Sequence, residues 1–170
     1  MSHCKMYNLH AIKNPENAFE EEDDAYVYEQ MLHVADYVTE LGLNEEYAEA
    51  LEAELKHSFG NENVMRNGFL FTVKRAGVDY FFQRLKDWLI NTIEKIKERP
   101  ARQLMDFDLE YPGWWQIKDF IDNSYGFYFK TDGEGWEPIT RFAETIYYLC
   151  KTHNDKEIVL ELRQVFDYHY

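Results

Sequence analysis

A chain of 170 residues, 45% hydrophobic and 29% charged, can bury a core without disulfides or a structural metal, and its composition is globular rather than disordered. Its 32 acidic and 18 basic residues set the formal net charge at −14. That sign excludes a protein that grips nucleic acid or an anionic membrane through bulk charge, and it favours a basic protein as partner.

Residues 1–170 read as a single domain, with 1–23 an acidic leader, because no linker and no internal repeat interrupts the apolar pattern. Asp23 or Asp24 caps a helix expected over 24–41, where Val27, Met31, Val34, Val38 and Leu41 recur at steps of four and three. Gly42 stops it. Asn44 then caps a second helix over 45–58, with Tyr47, Ala48, Leu51 and Leu55 inward, so 24–58 is expected to form an antiparallel helical hairpin or two helices crossing at a steep angle. The aromatic and β-branched run 68–74 predicts a strand. A long helix over 78–98 follows, ended by Pro100. Residues 104–111 alternate and suit a strand, 114–121 suit a short helix, and 125–131 suit another strand before Asp132-Gly133. Pro138 opens a helix to about Lys151, and Asn154 or Asp155 caps a last helix over 156–168 carrying Ile158, Leu162, Val165 and Phe166. The expected fold class is α+β and helix-dominated, with about five helices and a small antiparallel sheet of two or three strands.

The placement of charge says more than its total. Residues 16–54 hold 14 acids and no Lys or Arg, while the rest of the chain holds 18 acids and all 18 bases and is neutral. Pairs such as Asp36 with Glu40, Glu45 with Glu49, Glu46 with Glu49 and Glu49 with Glu52 stand three or four apart. On a helix each such like-charge pair costs about 0.2–0.5 kcal/mol. A local rule broken without visible compensation points to function. Duplex DNA carries one charge per ~1.7 Å of axis, which is the order of charge density this segment reaches. Glu29, Asp36, Glu40, Glu45, Glu46, Glu49 and Glu52 are therefore the expected contacts to a basic partner. Residues 74–102, with eight bases against four acids, either dock internally against the acidic segment as a counterweight or form an ordinary mixed helix surface.

Catalytic signatures are missing. No GxSxG, HExxH, GxxxxGK[ST] or GxGxxG occurs, so hydrolase, zincin and nucleotide-cradling chemistries lack their loops. His3, Cys4 and His10 offer nitrogen and sulfur without a fourth ligand, and Glu20 to Asp24 lacks the alternation of a calcium loop. Asp106, Asp108 and Glu110 alternate near Lys118 but lack the remaining elements of a metal-dependent nuclease. No catalytic residue, metal or cofactor is expected. Cys4 and Cys150 have no neighbour at CxxC spacing and read as reduced thiols. The longest apolar run, 146–150, is too short to cross a membrane, and the expected location is cytoplasmic.

Aromatic residues make up 17% of the chain. Trp114 and Trp115 follow a Pro-Gly turn, and adjacent residues on a helix point about 100° apart, so one indole is expected to stay accessible as an interface anchor. In size and charge the chain resembles small acidic inhibitors: antirestriction and anti-CRISPR proteins that act as DNA mimics, and immunity proteins that cap nuclease toxins. That likeness implies a non-enzymatic inhibitor acting by protein–protein interaction on a basic, nucleic-acid-binding partner. The alternatives are an immunity protein that relies on shape, an enzyme or small-molecule binder built on the aromatic half, and an interaction subunit whose acidity only solubilises it.

Overall fold

The computed structural model describes residues 4–12, 24–100, 128–131, 136–152 and 154–169. In chain order these form β1 (Cys4–Ala11), α1 (Asp24–Val34), β2 (Tyr37–Leu41), α2 (Glu45–Phe59), a 3-10 turn at Asn61–Asn63, β3 (Val64–Asn67), β4 (Leu70–Lys74), α3 (Arg75–Lys97), β5 (Tyr128–Thr131), β6 (Trp136–Glu137), α4 (Ile139–Thr152) and β7 (Glu157–His169). The fold is α+β, but its make-up differs from the sequence expectation. The described residues hold four α-helices and a seven-stranded sheet, in place of about five helices and two or three strands.

The 13-residue strand β7 organises the sheet. One edge pairs antiparallel with β1 over nearly its whole length. The other edge is shared end to end: β4 pairs with residues 157–161 and β2 with residues 165–169. β3 extends the antiparallel part beyond β4. β5 joins β1 in parallel, and β6 closes antiparallel on β5. The β3–β4 hairpin turns through Gly68 and Phe69. Gly68 has φ +61 at the first central position, the primed geometry that matches strand twist and that glycine reaches without strain.

Two sequence expectations fail here for one reason each. Residues 156–168, expected as a helix, are strand β7. Their register with β1 slips between Asn8 and Leu9, which leaves Arg163 as an extra, bulged residue. Before it, Ile158, Leu160 and Leu162 share one face; after it, Gln164, Phe166 and Tyr168 are buried on the other. The bulge turns a period of two into spacings that imitate a helix. Asn154, expected as an N-cap, instead takes φ +54 behind α4, where its N–H donates to the Lys151 carbonyl and Asp155 N–H to that of Cys150. The second failure is the helix over 24–41. It ends at Val34, and Asp36 N–H donates to the His169 carbonyl, which starts β2 alongside β7.

Successive strand residues point to opposite faces, so the sheet has two coverings. On one face Tyr7, Leu9, Phe71, Val73, Phe129, Ile158, Leu160, Leu162 and Val165 pack under α2, α4 and the start of α3. On the other, Met6, Phe166 and Tyr168 pack under Val27 and Met31 of α1. β1 is buried from both sides, with Met6, Tyr7 and Leu9 fully inside. Gly77, in the first turn of α3, is a close approach: a Cβ there would lie 2.8 Å from that of Asn63 and 2.9 Å from the Phe59 carbonyl oxygen.

A polar row crosses the α1 side. Asn8 Nδ2 donates to Gln164 Oε1 at 2.8 Å, and Gln164 Nε2 donates to Glu40 Oε1 at 3.1 Å. The row spans β1, β7 and β2, with Asn8 and Gln164 both buried. Removing one member leaves a buried amide without this partner, which costs about 1–3 kcal/mol, whereas removing both costs less. Gln164→Met is therefore expected to lose stability in urea unfolding, and Asn8→Leu/Gln164→Met to recover part of that loss.

Candidate functional site

Asn44 starts α2 as the sequence indicates, its Oδ1 accepting from Tyr47 N–H at 3.0 Å. Ala48, Leu51, Leu55 and Phe59 fill the core side. The acids of α2 then divide into three groups by helical position. Glu45 and Glu52, seven residues apart, lie on the flank toward β3. Arg66 of β3 lies between them, its Nη2 2.7 Å from Glu45 Oε1 and its Nε 2.7 Å from Glu52 Oε2. Lys56 adds a second cation to Glu52 at 2.6 Å. Hydrogen bonds from Lys56 and then Arg66 hold the Glu52 carboxyl below the usual carboxylate range.

Glu54 and Tyr47 lie on the opposite flank, toward β1. Lys5 of β1 sets its Nζ 4.7 Å from the Tyr47 ring centroid, a cation–π contact. Burial pushes the Glu54 carboxyl up, partly opposed by His57. Burial, with Glu54 and Tyr47 beside it, pushes the Tyr7 hydroxyl up to about 12. The third group is the outer face, where Glu46 and Glu49 are exposed together with Ala50, Ala53 and His57.

These shifts have opposite signs and give a test. Glu52 contributes stability above its unfolded value of about 4.5, lost as pH falls through its lower folded value. Glu54, raised in the fold, costs stability progressively as pH rises from about 4.5, where the unfolded chain ionises first, up to its folded value, and costs little below about 4.5, where folded and unfolded chains are both mainly protonated. Glu54→Gln should therefore raise the urea midpoint at pH 7 and leave it nearly unchanged at pH 4.

The other expected contacts are dispersed. Glu29 is exposed on α1, Asp36 is exposed at the entry to β2, and Glu40 is exposed while accepting from Gln164. Because α1 and α2 cover opposite faces of the sheet, with β2 between them, the anticipated helical hairpin does not exist, and Glu29 of α1 and the acids of α2 stand on elements that cover different faces. The sequence expectation missed Arg66 as the compensating cation, having looked to residues 74–102. Within that stretch Lys74 donates to the Glu62 carbonyl and Arg84 to the His57 carbonyl, so both meet backbone rather than the acids. An Arg on a strand two elements away has no periodic relation to the helix it serves.

Trp114, Trp115, the segments 104–111 and 114–121, and most of the acidic leader lie outside the described residues. Among the described residues no three His, Cys, Asp or Glu side chains gather as metal ligands, and no helix is long and apolar enough to cross a membrane. Cys4 and Cys150 are free thiols, and burial pushes that of Cys150 up to about 11. No protein-family model, curated protein or solved structure matches the chain.

Proposed function

We propose that this protein is a non-enzymatic acidic inhibitor that binds and blocks a basic surface of another protein. The observation that carries this reading is the set of exposed carboxylates on Glu29, Asp36, Glu46 and Glu49, for which the described residues supply no cation, in a segment of 39 residues without one Lys or Arg. Stability alone would interleave Lys among them, as Arg66 and Lys56 do for Glu45 and Glu52. A basic partner supplies the missing counter-charge.

The division of the acids between the two sides of the sheet favours an immunity-type contact, by shape together with charge, over imitation of a nucleic acid. α2 is about 22 Å long, a length of duplex that carries about 13 phosphates. Its outer face offers only Glu46 and Glu49, since Arg66 holds Glu45 and Glu52 and Glu54 is half-buried. The partner in this reading is a nuclease-type or other basic protein whose working surface is covered.

The test is capture at low salt from the native source on two columns, one carrying the parent chain and one carrying Glu29→Lys/Asp36→Lys/Glu46→Lys/Glu49→Lys. Basic proteins held by the parent alone, and released as salt rises, are the expected result. Added nucleic acid should displace them poorly. Ready displacement would return the mimicry reading to first place, and equal retention on both columns would remove the acidic surface from function.

A further inference from the structure

We draw no further inference here: the strongest candidate, the apolar stripe of Leu85, Trp88, Leu89, Ile93 and Ile96 along the second half of α3, carries nothing because the described residues do not show what covers it.

Discussion

Phe142→Ala is expected to lower the free energy of unfolding by about 3–5 kcal/mol, a large share of the ~5–15 kcal/mol that holds a typical domain together. Phe142 of α4 is fully buried, its ring stacked on Phe129 of β5 with centroids 4.2 Å apart and planes 12° from parallel. It also meets Phe59 at the end of α2, centroids 6.2 Å apart and planes at 55°. Phe59 in turn touches Phe81 of α3, and Phe129 stacks on Tyr7 of β1. One aromatic cluster thus ties three helices to two neighbouring strands. An alanine there leaves a cavity that the rings around it cannot all close, because each is held from several elements. Tyr148, on the same helix but 60% exposed, is the control. Tyr148→Ala should cost no more than about 0.5 kcal/mol. Urea unfolding of both variants, with unchanged slopes, measures the difference; equal losses would mean that the aromatic cluster does not anchor the core.

The elements legible in the sequence were those whose pattern is local. α2 is marked by its Asn44 cap and core spacing, and α3 and α4 begin and end close to where periodicity, Pro100 and Pro138 place them. The rest depends on partners distant in sequence. β1 is buried on both faces between β7 and β5, so its side chains show no alternation to read. β2 continues the helical spacing of α1 through Val38 and Leu41, and only the edge of β7 draws it into the sheet. β7 hides its period of two behind a single bulged residue, Arg163. The error over β7 removed the centre of the sheet and with it most of the strands that pair there.

The acidic segment was legible as composition and illegible as a surface. Fourteen acids in 39 residues are countable, but which of them remain free is decided by Arg66, Gln164 and the two-sided packing of the sheet. Reversing Glu52 or Glu45 would break contacts to Arg66, and reversing Glu40 would place a cation where Gln164 Nε2 donates. The carboxylates that test function without disturbing the fold are Glu29, Asp36, Glu46 and Glu49, for which the described residues show no ion pair.

Reversing those four to Lys moves the formal net charge from −14 to −6. The expected effect is on association. Charge complementarity acts mainly by steering encounter, and its reach at physiological salt is about 8 Å. Within one interface association rates span about one to three decades, so a fall of that order is the expected size. The pair Glu46→Lys/Glu49→Lys and the pair Glu29→Lys/Asp36→Lys separate the two sides of the sheet. The α2 pair should account for most of the loss if the partner docks over the outer face of α2. Melting temperatures should stay within a few degrees of the parent, because exposed substitutions away from packed features change stability by only about 0.5 kcal/mol.

The central claim, that exposed carboxylates direct this protein to a basic partner, rests most directly on one measurement: the association rate constant of the four-fold variant and of the parent with the captured partner, each followed from low to physiological salt. The parent should associate fast at low salt and slow steeply as salt rises, while the variant should be slow throughout and nearly indifferent to salt. Matching rates and matching salt dependence for the two proteins would contradict the account and leave the acidity as solubilising surface.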